Sequence, residues 1–397
     1  MRVASLRGLL LARGLRAFAD GFVSLLLPVY LLELGLTPFD VGIIATGTLL
    51  GSGALTLLVG YQAWRFQFRT LLLAAAVLMT ATGLSFALVA NFWPLLVIAI
   101  VGTLNPSSGD VSVFLPLEHA MLAKLAPDRQ RTAWFARYSL VGALLGAAGA
   151  LLAAAPQLVA RFWHVPMLAA LQVMFVLYAL LGVASALVYR RLPAAPVARE
   201  REAAPAPLRE GKRVVYTLAA LFSLDALGGG FIVQSMLALW LFERFQLSTI
   251  TAAAIFFWTG VFSALSYLVA VKIAGRIGLV YTMVFTHLPS NLLLILVAFA
   301  PDLATSVALL LLRSALSQMD VPTRSSFVMA VVPPAERPAA ASVTSVPRSL
   351  AAASSPLVAG YLLGVSTFGW PLVIAGALKI VYDLLFLALF RRHAPAR

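Results

Sequence analysis

Long apolar segments separated by short polar turns run from one end of this sequence to the other. A run of about 18 apolar residues is long enough to cross a bilayer as an α-helix. The pattern therefore predicts an all-α membrane protein with twelve transmembrane helices. The predicted spans are residues 14–36, 39–63, 69–90, 93–124, 131–155, 166–190, 214–242, 247–274, 279–300, 302–332, 339–365 and 369–390.

The composition leads to the same class of protein. Hydrophobic residues make up 61% of the chain and charged residues 11%, whereas soluble proteins carry about 25% charged residues. The mean hydropathy is +0.96. Cysteine is absent, which excludes disulfides, thiolate metal sites and cysteine nucleophiles.

One stretch has the composition of a linker. Residues 190–213 are rich in proline, alanine and charge, and they divide the predicted spans six and six. The sequence thus predicts an N-terminal six-helix bundle over residues 1–190, a cytoplasmic linker over 191–213 and a C-terminal six-helix bundle over 214–397.

The basic residues predict the orientation. They cluster before span 1, after spans 2, 4, 6, 8 and 10, and after span 12, whereas the opposite loops hold only Arg161 and Arg244. Cytoplasmic loops carry the excess of lysine and arginine, so both termini and the linker are expected in the cytoplasm. The net charge of +14 is explained by this bias and does not indicate nucleic-acid binding. The basic Met1–Arg16 lacks a small-residue cleavage site, which favours a retained first helix.

The two halves of the chain contain related segments. Asp110-Val111 in span 4 corresponds to Asp320-Val321 in span 10, and Asp20 in span 1 corresponds to Asp225 in span 7. Parallel repeats with a site between them are a transporter architecture.

These features resemble the major facilitator superfamily along essentially the whole chain. The family's loop motif after span 2, Gly-x-x-x-Asp-Arg-x-Gly-x-Arg, is matched in part, with Trp64 at the aspartate position. A second partial copy follows span 8. The expected gate residues from the two copies are Gly60, Arg65, Arg69, Arg276 and Gly278. The resemblance implies two six-helix bundles, with spans 1, 4, 7 and 10 lining a central cavity. The superfamily's antiporter glycines are echoed in span 5 by Gly142, Gly146 and Gly149.

Five acidic residues lie on the spans that the resemblance assigns to the cavity. An acid within hydrocarbon costs roughly 2.5–3.5 kcal/mol, so such residues are either paired or functional. A carboxyl group there can take up a proton on one side and release it on the other. The candidates for proton coupling are Asp110, Asp320, Glu118, Asp20 and Asp225. The alternative for Asp20 and Glu118 is a gate salt bridge with Arg16, Arg137 or Arg348.

Candidate substrate-binding residues lie on the same spans. Pro106 and Gly109 bend span 4 and expose polar backbone groups. Arg313 either holds an anionic substrate or neutralises Asp320, and neutralisation is preferred. The predicted substrate-binding residues are Asn105, Ser108, Phe114, Phe22, Phe231, Gln234 and Arg313.

Three residues outside these spans are expected to have structural roles. Lys379 and Asp383, spaced i, i+4 in span 12, are expected to pair with each other. For His287 in span 9, a satisfied helix-packing role is preferred over the alternative of a proton carrier.

No catalytic motif is present: HExxH, GxSxG and the GxxxxGK[ST] phosphate loop are all missing. The chain is therefore expected to be no enzyme and to need no cofactor or metal. The sequence favours a monomeric transporter in the cell inner membrane that exports a small organic solute by proton antiport, with solute, protons and the lipid bilayer as its partners. The alternatives are proton-coupled uptake or facilitated diffusion of a metabolite such as an organic anion, and a non-transporting membrane sensor or lipid-binding protein.

Overall fold

The computed structural model describes residues 2–62, 66–107, 112–127, 130–193, 211–333 and 336–391. This part of the chain forms sixteen α-helices and no β-strand. The helices are α1 (Arg2–Glu33), α2 (Pro38–Gln62), α3 (Phe68–Leu88), α4 (Phe92–Val101), α5 (Phe114–Leu125), α6 (Arg131–Leu152), α7 (Ala155–Trp163), α8 (Met167–Arg190), α9 (Lys212–Phe231), α10 (Gln234–Phe245), α11 (Thr249–Ile277), α12 (Leu279–Ala298), α13 (Leu303–Ser317), α14 (Asp320–Val331), α15 (Arg337–Val365) and α16 (Trp370–Phe390).

The helices follow the twelve predicted spans, so the prediction of an all-α, twelve-span membrane protein is confirmed. Spans 4, 7 and 10 are each divided into two helices, and the short α7 extends span 5. Among the described residues, nine helical segments are long and apolar enough to cross a membrane. The first halves of spans 4 and 10, α4 and α13, are shorter apolar helices.

Side-chain caps determine where two of the helices begin. Thr37 and Asp40 form a reciprocal capping box at α2, in which each side chain accepts the other residue's backbone N–H. Asp302 caps α13 by accepting the Thr305 N–H at 2.9 Å. These caps satisfy amide groups that would otherwise have no partner in the first helical turn.

The interruptions in spans 4, 7 and 10 occur in different sequence contexts. α4 ends at Val101, well before Pro106, so span 4 is broken rather than simply kinked at the proline. α9 remains helical through three consecutive glycines and ends at Phe231. Only Gln318 and Met319 separate α13 from α14. Non-helical backbone at membrane depth is tolerated where protein covers it or where it lines a water-filled cavity.

The described residues form two compact units. The first is drawn from Met1–Arg199 and Gln234–Phe257, and the second from Glu200–Val233 and Trp258–Arg397. The first unit therefore includes α10 and the start of α11, which the predicted division at the linker assigns to the C-terminal bundle. Most of that linker, residues 194–210, lies outside the described residues.

Glycines allow very close helix contacts within each unit. In the first unit, a Cβ added to Gly149 of α6 would lie 2.0 Å from the Phe18 carbonyl oxygen of α1. In the second unit, a Cβ on Gly230 of α9 would lie 2.2 Å from the Ala352 carbonyl oxygen of α15. Small residues at such positions let helix backbones pack directly against each other, as is common in membranes.

Candidate functional site

Glu118 is held by three donors from three other helices of the first unit. Its carboxylate on α5 accepts hydrogen bonds from Arg16 on α1 and from Tyr138 on α6. It also accepts one from Tyr189 on α8 at 2.6 Å. The Arg16 guanidinium lies 4.2 Å from the centre of the Phe114 ring. Glu118 is fully buried, and this coordination favours the salt-bridge interpretation of the residue.

Asp20 lies one helical turn beyond Arg16 and has a different environment. It is buried, yet no lysine, arginine or histidine nitrogen of the described residues lies within 4.0 Å of it. Arg13, Arg16 and Asn105 are close enough to act on it electrostatically. Arg13 packs over the Tyr138 ring, and its buried Nε and Nη1 have no hydrogen-bond partner in the described part of the chain.

A backbone hydrogen bond connects the broken spans 4 and 7 within the first unit. The Ser235 N–H in the first turn of α10 donates to the Pro106 carbonyl at 3.0 Å. Asn105 Oδ1 accepts from the Ser107 N–H, while Asn105 Nδ2 and Ser235 Oγ are buried with no partner among the described residues. The predicted site residue Asn105 therefore lies in an under-satisfied polar region of span 4.

The predicted aromatic residues are covered by protein. Phe22 is 0% exposed and lies against Phe18, while Phe114 stacks on Tyr189. Phe231, the last residue of α9, is also buried. A solute could reach these rings only after a rearrangement. Gln234, the first residue of α10, is half-buried.

Four of the five predicted gate residues lie in the part of the chain that the structure describes. Gly60 lies in α2, and Arg69 is half-buried in the first turn of α3. Arg276 is exposed in the last turn of α11, and Gly278 connects α11 to α12 with φ of +84°, a value that favours glycine. Ser108, Asp110 and Arg65 lie outside the described residues, so their roles stay predictions.

The second unit contains a larger buried cluster of charges centred on Asp225 of α9. The Lys379 Nζ of α16 lies 2.7 Å from Asp225 Oδ1, and Arg324 Nη2 of α14 lies 2.8 Å from Asp225 Oδ2. Arg324 also pairs with Asp320, one turn earlier on its own helix. Since Asp225 accepts from two cations on different helices, it ties α9, α14 and α16 together.

His287 of α12 joins the same cluster. Its Nε2 lies 3.8 Å from Asp225 Oδ1, and its Nδ1 lies 2.8 Å from Asp383 Oδ1. The Asn291 amide donates to Asp383 Oδ2 at 3.0 Å. Four helices of the second unit thus contribute side chains to one buried polar network, defined here as the Asp225 cluster. Its members are Asp225, His287, Asn291, Asp320, Arg324, Lys379 and Asp383.

Two expectations from sequence are wrong here. Lys379 pairs with Asp225 rather than with Asp383, because the α9 carboxylate lies within reach of its long side chain. Asp320 is neutralised by Arg324 rather than by Arg313. His287 is buried and hydrogen-bonded between helices, as expected of a satisfied packing residue, and it also contacts two carboxylates. Sequence reasoning missed Arg324, although its i, i+4 spacing from Asp320 was a usable signal.

Arg313 differs from the other buried cations of the second unit. It lies on α13, eleven residues before Arg324, and its buried Nε makes no hydrogen bond with any described residue. No carboxylate of the described residues lies within 4.0 Å of its guanidinium. Arg313 is therefore a basic group in a membrane-spanning helix that has no carboxylate of the described residues beside it.

A family model described as the Major Facilitator Superfamily matches residues 9–317. The chain belongs to this superfamily. It is 26% identical over 410 residues to the uncharacterised membrane protein YJR124C of Saccharomyces cerevisiae, covering 95% of this chain and 92% of the yeast protein.

Solved structures with the same fold are transporters. The nucleoside transporter NupG superposes with a TM-score of 0.73 at 15% identity, covering 97% of this chain and 99% of NupG. The human organic anion transporter MFSD10 (TETRAN) superposes with a TM-score of 0.66 at 18% identity, covering 97% of this chain and 99% of MFSD10. Membership of the Major Facilitator Superfamily makes the chain a multi-pass membrane transporter rather than an enzyme.

Proposed function

We propose that the chain is a secondary active transporter that exports a small organic solute in exchange for protons, by alternating access. The Asp225 cluster is the observation that carries the proposal. Removing charges from water costs several kcal/mol per ion, and replacing a buried ion pair by apolar residues is often neutral or stabilising. Stability alone therefore does not account for three acids, His287 and Lys379 buried within the helices, with the 12% exposed Arg324 paired to two of the acids.

The predicted proton-coupling acids are part of this proposal. Asp225 and Asp320 belong to the Asp225 cluster, and Asp20 is buried without an ion-pair partner in the described part of the chain. Asp110 lies outside the described residues and keeps its predicted role in this proposal. Glu118, with its three donors, is proposed mainly as a tie among α1, α5, α6 and α8.

The proposed direction is export. The glycines of α6 that resemble the superfamily's antiporter pattern lie against α1. A Cβ added to Gly21 of α1 would lie 2.1 Å from the Gly146 carbonyl oxygen of α6. The same interface accommodates Arg13 beside Gly142. This packing supports a functional role for the glycine pattern. We also propose a cell inner membrane location with both termini cytoplasmic, on the basis of the lysine and arginine distribution.

Arg313 favours a second candidate, proton-coupled uptake of an organic anion. A guanidinium at membrane depth is costly when no carboxylate of the described residues lies within 4.0 Å of it. A carboxylate or phosphate ligand would lower that cost through bidentate hydrogen bonds. Arg313→Gln and Arg313→Lys would be compared under this candidate. Loss of anion affinity in both, and weaker loss with lysine, would support it.

Purified protein in liposomes tests both candidates. The lumen would contain the pH-sensitive dye pyranine, and the probes would be uridine, alanylalanine and succinate, which are uncharged, zwitterionic and dianionic. Under antiport, an outward solute gradient should drive protons into the lumen. Liposomes without the protein are the control. Proton movement in the same direction as the solute would support uptake. Net solute transport that moves no protons would overturn proton coupling.

A further inference from the structure

His287 lies between two carboxylates that belong to different helices. Its Nδ1 is 2.8 Å from Asp383 Oδ1 on α16, and its Nε2 is 3.8 Å from Asp225 Oδ1 on α9. All three side chains are buried. Neither carboxylate belongs to the helix that carries the imidazole, so tertiary structure alone creates this arrangement.

The contact with Asp383 fixes one of the two ring protons. An imidazole nitrogen and a carboxylate oxygen are both acceptors unless a proton lies between them, and 2.8 Å is a hydrogen-bond distance. The Nδ1 and Oδ1 atoms therefore share a proton. Asn291 donates to the other Asp383 oxygen at 3.0 Å and orients that carboxylate. This leaves Nε2, which faces Asp225, as the ring atom that can gain or lose a proton.

The protonation state of His287 Nε2 determines the net charge of the Asp225 cluster. Three carboxylates, Asp225, Asp320 and Asp383, are matched by only two permanent cations, Arg324 and Lys379. A proton on His287 Nε2 brings the cluster to neutrality. Its loss leaves a buried net negative charge, which is strongly unfavourable at membrane depth.

We infer that His287 Nε2 is the atom that takes up and releases the coupled proton in the second unit, with Asp383 as its positioning residue. The inference rests on the proposed proton coupling and moves it to a residue outside spans 1, 4, 7 and 10. The proton binds to the Nε2 lone pair, the imidazolium N–H faces Asp225, and release returns that proton to water.

Protonation of His287 changes the partners available to Asp225. The same Asp225 carboxylate accepts from Lys379 and from Arg324, which lie on α16 and α14. An imidazolium beside Asp225 competes with Lys379 and Arg324 for the same carboxylate and weakens both ion pairs. Loss of the imidazolium charge strengthens both ion pairs. The proton thereby biases contacts between α9, the first half of span 7, and α14, the second half of span 10.

The charged and titratable side chains in contact with His287 come from α9 and α16. They are Asp225, Asp383 and Tyr382. Lys379 of α16 and Arg324 of α14 pair with Asp225, and Asp320 of α14 pairs with Arg324. From α13, the Arg313 carbonyl accepts a hydrogen bond from Ser290 Oγ at 3.4 Å, one turn from His287.

The first test observes the imidazole directly. The chain has four histidines, so protein labelled with ¹⁵N-histidine gives a spectrum that H287Q and H119Q can assign. His287 is expected to pass from imidazolium at low pH to the neutral tautomer that keeps its proton on Nδ1. In D383N that tautomer preference should be lost. A neutral His287 with its proton on Nε2, or a His287 that does not titrate, would overturn the inference.

The second test measures coupling in liposomes with the same three probes. H287Q should lose proton movement while retaining solute counterflow without a pH gradient, which also shows that the variant is folded. H119Q is the matched control, because His119 packs against Phe135 and Tyr138 in the first unit. Proton coupling that is intact in the wild type and unchanged in H287Q would overturn only the role of His287. Absence of coupling in the wild type would overturn the proposed function itself.

Discussion

The Lys379 ammonium on α16 lies 2.7 Å from the Asp225 carboxylate on α9, although the two residues are 154 positions apart. Asp383, one turn along the Lys379 helix, bonds instead to His287 and Asn291. Each acid of α9 and α16 thus finds its partner on another helix. The pairs connect the first and last spans of the second unit through its interior.

Removing the Lys379 charge should destabilise the protein. Lys379→Met leaves Asp225 with Arg324 as its close cation, so we expect a loss of about 3 kcal/mol, the lower end for breaking a buried pair. Asp225→Asn should cost more, about 5 kcal/mol, because it leaves Lys379 without its carboxylate and Arg324 with only Asp320. Thermal unfolding in detergent, monitored by circular dichroism, shows which of the two variants is less stable.

The double variant Asp225→Asn/Lys379→Met provides the stricter comparison. It should recover part of the stability lost in Asp225→Asn, because no ammonium then remains buried alone. Lys272 is exposed on α11, so Lys272→Met is the matched control and should leave unfolding unchanged. Strictly additive effects of the two substitutions would contradict a direct pair.

The sequence predicts the helical spans because hydropathy acts over whole segments, and the twelve spans are all found. It does not predict the partners of the buried charges. Within a helix, Lys379 and Asp383 are neighbours by spacing, but the fold brings Asp225 closer to the lysine. The Asp320–Arg324 pair was predictable from the sequence, because the two residues are spaced i, i+4 on one helix.

The interruptions of the spans were also only partly predictable. Pro106 indicates a bend in span 4, but the helix ends at Val101. Span 10 breaks at Gln318 and Met319, and Pro322 predicts a bend there because a proline ring clashes with the carbonyl four residues earlier. The Gln318 side chain also accepts a hydrogen bond from Tyr267 at 3.0 Å. A tertiary contact of this kind leaves no periodic signal in the sequence.

The α1–α6 contact should not tolerate even one added methyl group. Gly149→Ala would place its Cβ 2.0 Å from the Phe18 carbonyl oxygen, so the helices must separate. We expect a loss of about 1–3 kcal/mol or a failure to accumulate in the membrane. Gly53→Ala is the control, since a Cβ at Gly53 meets nothing within 4 Å. Equal expression and unfolding temperature for both variants would argue against the close contact.

The positive-inside pattern predicts the location of both termini and of the linker. Green fluorescent protein fused to either end, or inserted within residues 195–208, should fluoresce because it folds in the cytoplasm. Alkaline phosphatase at the same three positions should be inactive. Alkaline phosphatase fused near Arg161 or Arg244 should be active and serves as the matched control. Phosphatase activity at any of the first three positions would be incompatible with the proposed topology.

Asp320→Asn should yield a folded protein, because Arg324 keeps Asp225 at 2.8 Å after Asp320 loses its charge. The loss of one charged hydrogen bond is expected to cost about 1.5–3 kcal/mol, less than Asp225→Asn. The variant also changes the charge count: two carboxylates then face two cations, and the cluster is neutral without a proton on His287. Neutrality of the cluster then no longer requires that proton, so solute-driven proton movement should decrease relative to solute counterflow. Both are measured in liposomes at one pH, and unchanged proton movement would contradict the charge count. A misfolded Asp320→Asn beside a folded Asp225→Asn would show that Arg324 depends on Asp320 rather than on Asp225.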